Sequence, residues 1–197
     1  MLELVLEVGD CLQQSQLTVH LAVEYMDRFL LLRNHYTPDI GSKSDSELAS
    51  SLFDGHSLDV LGLSCLLLAS KFDEIDDNIP LLDEFCKAHT LVRDSLDAGF
   101  LSAKASHSRV AYSRSYPGFG ALERCELYLL KVLCWDLNTI TPMHFVKLHL
   151  YQGVIFSNDT PLKVLDTKSL QTVRRHIDYF ALEALKQSFM LAKTFSD

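Results

Sequence analysis

Apolar residues recur at spacings of three and four along most of the chain, which is the spacing of one face of an α-helix. Seven helices are predicted in this way, at residues 2–12, 18–33, 58–72, 81–88, 121–135, 142–151 and 167–193. No segment alternates polar and apolar residues for long, so the pattern predicts no β-strand. The sequence therefore predicts an all-α fold.

The helix predicted at 58–72 differs from the others because it is apolar on nearly every side. Its apolar residues include Val60, Leu61, Leu63, Leu66, Leu67, Leu68 and Ala69. A helix of this kind belongs at the centre of a domain, where other helices surround it. Because no heptad repeat is sustained, a globular helical bundle is expected rather than a coiled coil.

The helix predicted at 18–33 has a clear core face and an expected N-cap. Thr18 is the expected cap, since a side-chain oxygen there satisfies free backbone N–H groups. The core face is expected to contain Leu21, Ala22, Tyr25, Phe29 and Leu32. His20 and Glu24 lie four residues apart and are expected on a more solvated side.

Two long segments lose this periodicity and are predicted to be loops. Residues 34–55 contain Pro38, two glycines and a Ser/Asp-rich run, and residues 90–118 are rich in Ser, Gly and Arg. Both compositions favour turns and irregular structure, and the second segment leaves room for a helical turn within the loop. A further break at 138–142 divides the chain into a first domain, 1–139, and a second, 140–197, for which only about two helices are predicted.

The composition limits the class of partner that the chain can bind and the cellular compartment in which it is expected. Lys and Arg total 18 against 26 Asp and Glu, a formal net charge of −8, whereas duplex binding needs clustered cations. Five cysteines without a CxxC pair indicate reduced thiols in an intracellular protein. The most apolar stretch, 60–69, is shorter than the roughly 20 residues of a membrane span. A protein partner is therefore expected, with no direct nucleic-acid or membrane binding.

No enzymatic or metal-binding motif is present in the sequence. It contains no HExxH, no GxSxG and no Gly-rich phosphate loop. The acidic residues Asp73, Glu74, Asp76 and Asp77 lack the ligand spacing and the turn glycine of a calcium loop, so a solvated turn is expected there. We therefore predict no catalytic residue, no metal site, no cofactor and no small-molecule substrate.

Three segments together resemble the cyclin family. VHLAVEYMDRFL at 19–30 is similar to the second helix of a cyclin box, and LLLASKFDEI at 66–75 is similar to its central helix. ELYLLKVLCWDL at 126–137, followed by TPMHF at 141–145, resembles the fifth helix and the step into a second box. Within the family, the segments at 70–74, 77–80 and 177–180 resemble the J-type cyclins.

The resemblance implies a function and a site. In cyclins, a lysine at the end of the central helix and a glutamate on the fifth helix grip the regulatory helix of a cyclin-dependent kinase. Lys71 and Glu126 match this pair. The matching apolar contacts are Phe72, Leu130 and Leu137, and the matching polar contacts are Asp73 and Glu74. The implied protein is the activating subunit of a heterodimer with a Ser/Thr kinase that controls the cell cycle, in the nucleus, the cytoplasm or both.

The resemblance also has gaps, and other interpretations stay open. It implies a cyclin box at 1–139 and a truncated second cyclin domain at 140–197. Leu4 stands where the family usually has Trp, and the arginine that Asp27 would bind in a cyclin would fall before Met1, so Asp27 is expected to be structural. A TFIIB-type transcription module shares this fold, and a truncated cyclin that binds no kinase is a third possibility.

Overall fold

The structure of the chain, a computed structural model, describes residues 1–33, 57–103, 119–152 and 167–194. These ranges contain seven α-helices, one short 3-10 helix at Asp76–Asn78 and no strand, so the all-α class is confirmed. The helices are α1 (Leu2–Cys11), α2 (Gln16–Leu32), α3 (Ser57–Asp73), α4 (Leu82–Ala103), α5 (Phe119–Val132), α6 (Pro142–Gln152) and α7 (Thr167–Thr194).

The chain forms two compact units, Met1–Thr139 and Ile140–Asp197. In the first unit α3 packs against α1, α2 and α5, and α1 also contacts α2 and α4. In the second unit α6 and α7 pack against each other. The interpretation of 140–197 as part of a second cyclin domain remains a prediction.

The central position of α3 follows from its all-round apolar sequence. Every residue from Leu61 to Ser70 is buried, because neighbouring helices cover α3 on several sides. A helix in this position has no face left for charged residues. The charged side chains of α3 therefore stand near its ends, at Asp59, Lys71 and Asp73.

Helix α2 confirms most of the expected core face but corrects two positions. Leu21, Ala22, Tyr25 and Phe29 are buried, whereas Leu32, the last residue of the helix, is 38% exposed. His20 is buried rather than solvated, since α2 contacts α1, α3 and α5 and so buries more than one face. Neither ring nitrogen of His20 has a hydrogen-bond partner, and burial lowers its pKa.

The N-cap of α2 is Ser15 and not Thr18. The Ser15 side-chain oxygen accepts a hydrogen bond from the Thr18 backbone N–H at 3.1 Å. This is the usual geometry of a serine cap, in which the hydroxyl serves a donor three residues later. Thr18 is buried inside the first turn of the helix.

Helix α4 continues to Ala103, so the prediction of a loop was wrong for residues 90–103. The hydroxyls of Thr90 and Ser95 donate to carbonyls four residues earlier, at Cys86 and Leu91, which accommodates these polar residues inside a helix. The rest of this predicted loop and the predicted loop at 34–55 lie outside the described residues.

Helix α5 ends at Val132, earlier than the pattern predicted. Cys134 and Trp135 have φ angles of 54° and 60°, in the left-handed region that residues with a side chain rarely adopt. Two successive residues in this conformation cannot continue a right-handed helix. They turn the chain away from the axis of α5.

The five cysteines are all free, but they differ in access to solvent. Cys65 and Cys125 are buried, Cys86 is half-buried, and Cys11 and Cys134 are exposed. Burial raises the pKa of Cys125 to about 11 and raises the pKa of Cys65 well above its usual value. Because the thiolate is the reactive form of cysteine, the two buried thiols are unreactive.

Helices α1 and α3 approach each other closely at Gly62. A Cβ atom at this position would lie 2.8 Å from Val5 Cγ2, and valine is too stiff at χ1 to move aside freely. We expect Gly62→Ala to lower the free energy of unfolding by roughly 1–2 kcal/mol, although alanine is the better helix former. Urea unfolding measures this change.

Gly120 in α5 provides the matched control for this prediction. A Cβ atom there would lie no closer than 3.7 Å to its nearest neighbour, Arg124 Nη1. Gly120→Ala is therefore expected to raise the free energy of unfolding by up to about 1 kcal/mol. If both variants gained stability equally, the close approach of α1 and α3 would carry no energetic cost.

Candidate functional site

Lys71 and Glu126 form an ion pair between α3 and α5. Lys71 Nζ lies 2.7 Å and 2.8 Å from the two carboxylate oxygens of Glu126. Lys71 stands in the last turn of α3, where the helix macrodipole favours a cation. The Glu126 side chain is only 13% exposed, whereas that of Lys71 is 47% exposed. The pair is therefore anchored on α5 and open to solvent on the side of the lysine.

Apolar side chains adjoin this pair. Phe72 follows Lys71 and is 48% exposed, and Leu130 is half-buried one turn after Glu126 on α5. Leu127, which follows Glu126, is also exposed. Sequence reasoning did not select Leu127, although its place next to Glu126 in the matched segment was a usable signal. Contiguous exposed apolar side chains mark protein-binding surfaces, so Phe72, Leu127 and Leu130 are candidate contacts of such a surface.

Hydrogen bonds from α2 to the backbone of Leu137 and of the residue before it position Leu137. The Tyr25 hydroxyl donates to the Leu137 carbonyl at 2.9 Å, and Arg28 Nη1 donates to the Asp136 carbonyl at 2.9 Å. Arg28 and Asp136 also form an ion pair at 3.4 Å. These bonds fix the segment that turns away from α5 and leave Trp135 exposed. Trp135 is a second apolar residue that sequence reasoning did not select.

Asp73 and Glu74 bind the chain's own α2 instead of pointing freely into solvent. Glu74 Oε1 accepts hydrogen bonds from the Ser15 backbone N–H at 2.8 Å and from the Thr18 hydroxyl at 2.6 Å. The Thr18 hydroxyl also lies 3.2 Å from Asp73 Oδ2. Burial alone would raise the pKa of Glu74, but these hydrogen bonds outweigh it and lower the pKa. The two carboxylates therefore already hold the N-terminus of α2.

Gln14 extends these contacts between the α1–α2 turn and the end of α3. Its amide nitrogen lies 3.3 Å from the Asn78 carbonyl oxygen. Its side-chain oxygen accepts a hydrogen bond from the buried hydroxyl of Ser70, which also lies 2.9 Å from the Leu66 carbonyl oxygen. The turn between α1 and α2 thus contacts the chain before and after Lys71.

A second ionic cluster ties α4 to α3 near the start of α3. The Asp59 carboxylate accepts hydrogen bonds from Arg93, with Nε at 2.9 Å, and His89 Nε2 lies 3.6 Å away. Burial would raise the pKa of Asp59, but the adjacent His89 and Arg93 outweigh it and lower the pKa. None of these three residues was selected from the sequence. Their contacts lie within the first unit and are structural.

The described residues contain no group of three or more His, Cys, Asp or Glu that could hold a metal ion. Among the described helices, none combines the length and the apolar character needed to cross a membrane.

The helical bundle around α3, with the Lys71–Glu126 pair at its surface, lies in the part of the chain that a known family covers. A family profile for the cyclin N-terminal domain matches residues 1–138, which is more than half of the chain. The chain therefore belongs to the cyclin family. No solved structure matches the chain.

Relatives of two cyclin types match the chain. Cyclin-D1-1 of Arabidopsis thaliana is 29% identical over 136 residues, which cover 69% of this chain and 28% of the relative. Cyclin-J of Xenopus laevis is 27% identical over 139 residues, with 68% and 30% covered. Cyclin-J of Homo sapiens is 28% identical over 126 residues, with 62% and 28% covered. The chain thus spans less than a third of these relatives, and the J-type subtype remains a prediction.

Proposed function

We propose that the chain binds a cyclin-dependent Ser/Thr protein kinase and activates it. The observation that carries this proposal is the ion pair of Lys71 and Glu126, with both carboxylate oxygens within 2.8 Å of Nζ. Phe72 and Leu127, next to the pair, present apolar surface to solvent. Covering such surface on binding contributes about 25 cal/mol for each Å² of apolar area removed from water.

The proposed mechanism is a shift of the kinase between its conformations. A partner that binds only the active conformation raises the population of that conformation by its differential affinity. In this proposal Phe72, Leu130 and Leu137 pack against the regulatory helix of the kinase, and Lys71 and Glu126 bind its backbone or polar groups. The helix is then held where the catalytic Lys–Glu pair of the kinase can form. The chain itself supplies no catalytic residue.

Asp73 and Glu74 have a different part in the proposal. Because both carboxylates hold the N-terminus of α2, we propose that they contribute to kinase binding mainly by shaping the surface. A transcription module that binds DNA receives no support from the net charge of −8. We propose a nuclear or cytoplasmic heterodimer without cofactors.

A pull-down of the purified chain against a panel of cyclin-dependent kinases tests this function. We expect the wild-type chain to retain at least one kinase, and the double variant Lys71→Ala/Glu126→Ala to retain none. Lys87→Ala is the matched control, since Lys87 forms an ion pair with Asp83 on α4 and takes no part in the proposed surface. A folded wild-type chain that retains no kinase of the panel would overturn the proposal.

A further inference from the structure

We infer that Gln14, Ser15 and Thr18, named here the turn clamp, position Lys71 and Phe72 for partner binding without contacting the partner. The turn clamp consists of the turn between α1 and α2 and the first turn of α2, and it is hydrogen-bonded to the chain at the end of α3. This inference rests on the proposed function, in which Lys71 and Phe72 bind a cyclin-dependent kinase.

The contacts of the turn clamp bracket the two surface residues. Ser70, which precedes Lys71, is hydrogen-bonded to Gln14. Glu74, two residues after Phe72, accepts from the Ser15 N–H at 2.8 Å and from Thr18 at 2.6 Å. The last turn of α3 is therefore held on both sides of Lys71 and Phe72.

The last turn of a helix needs such support because its carbonyl groups lack intrahelical partners and the turn opens easily. Lys71 and Phe72 are about half exposed, so their own packing does little to fix this turn. The bonds to Glu74 are charge-assisted, which makes them roughly twice as strong as neutral hydrogen bonds. The lowered pKa of Glu74 is consistent with a carboxylate held by these donors.

A substitution of Thr18 can show whether the turn clamp positions Lys71 and Phe72 or contacts the partner directly. Thr18 is fully buried, with 0% of its surface exposed, so no partner can contact it. A change in kinase affinity on substitution of Thr18 must then arise inside the chain. Thr18→Val keeps the shape and removes the hydroxyl, whereas Thr18→Ser keeps the hydroxyl that donates to Glu74.

Hydrogen exchange measures the clamp itself, whichever partner binds. In Thr18→Val we expect the backbone amides of residues 71–74 to exchange about tenfold faster than in the wild type. In Thr18→Ser we expect wild-type exchange, and amides in the middle of α3 should be unchanged in both variants. Unchanged exchange of 71–74 in Thr18→Val would overturn the inference, even if the wild-type chain bound no kinase. If Thr18→Val fails to fold, Glu74→Gln serves as the second variant.

Kinase affinity tests whether the clamp acts through Lys71. With the kinase retained in the pull-down, we expect Thr18→Val to weaken binding roughly tenfold and Thr18→Ser to bind like the wild type. In a Lys71→Ala background the effect of Thr18→Val should become smaller, because one of the two side chains that the clamp positions is absent while Phe72 remains. The same tenfold loss in both backgrounds would show a general effect on the fold and would overturn the inference. If the wild type binds the kinase and Thr18→Val binds it equally well, the inference is wrong. The proposed function is then unaffected.

Discussion

Replacement of Glu126 by Ala is expected to lower the affinity of the chain for the proposed kinase partner by about 100-fold or more. Glu126 is mostly buried and holds Lys71 Nζ at 2.7 Å. Without the carboxylate, the lysine loses the group that fixes its position, and the partner loses an acceptor at the centre of the surface. Truncating one member of a charge pair that binding desolvates leaves the other charge unpaired, which raises the dissociation rate.

Isothermal titration calorimetry with the retained kinase measures this loss, and two further variants interpret it. Glu126→Gln keeps the shape and one acceptor oxygen, so we expect an affinity between those of the wild type and Glu126→Ala. Lys87→Ala removes an exposed lysine from a comparable ion pair on α4 and should bind like the wild type. An affinity for Glu126→Ala within about twofold of the wild type would remove the Lys71–Glu126 pair from the binding surface.

Replacement of Asp59 by Ala is expected to destabilise the fold by roughly 2–3 kcal/mol, less than a fully buried pair costs because Arg93 is partly exposed. Asp59 is buried and accepts two hydrogen bonds from Arg93, with His89 beside it. Its removal leaves Arg93 without its carboxylate and breaks the ionic link between α3 and α4. Urea unfolding at neutral pH measures the loss of free energy.

The same variant has an expected pH dependence. The pKa of Asp59 is lower in the folded chain than its ordinary value, so the stabilisation is fully present above the unfolded-state pKa of about 3.9 and is lost as the pH falls through the folded-state pKa. The gap between the wild type and Asp59→Ala should narrow only below about pH 4. Asp83→Ala, which breaks an exposed pair with Lys87, should lower the free energy of unfolding much less than Asp59→Ala does. If Asp59→Ala and Asp83→Ala lowered the free energy of unfolding equally, the cluster of Asp59, His89 and Arg93 would stabilise the fold no more than an exposed ion pair does.

The sequence sufficed for those parts of the fold that have a local signal. The burial of α3 was predictable because a helix that is apolar on every side is recognisable within its own residues. The extension of α4 was missed, although Phe85, Ala88, His89 and Val92 continue at helical spacing and are buried. Alanine and histidine mark an apolar stripe weakly, and the neighbouring Ser, Gly and Arg suggested a loop.

The candidate site was predictable in its members but not in their connections. Lys71 and Glu126 were selected through the resemblance to cyclins, and the structure brings them within 2.7 Å. The bonds of Ser15 to Glu74 and of Arg93 to Asp59 join residues 59 and 34 positions apart. No spacing rule connects such residues, because their contact depends on how the helices pack. For the same reason the hydrogen bonds of Glu74 to Ser15 and Thr18 were not predicted, and a part for Glu74 in kinase binding stays a prediction.

The distribution of the thiols makes the chain convenient to label. Because Cys65 and Cys125 are buried, with raised pKa values, a maleimide dye will react first at the exposed Cys11 and Cys134. Cys134 immediately precedes Trp135 and lies three residues before Leu137, so a fluorophore there reports on events at the proposed surface. Cys11 ends α1 and supplies a reference position. Variants that keep only one of these two thiols therefore turn the natural chain into a binding sensor and its control.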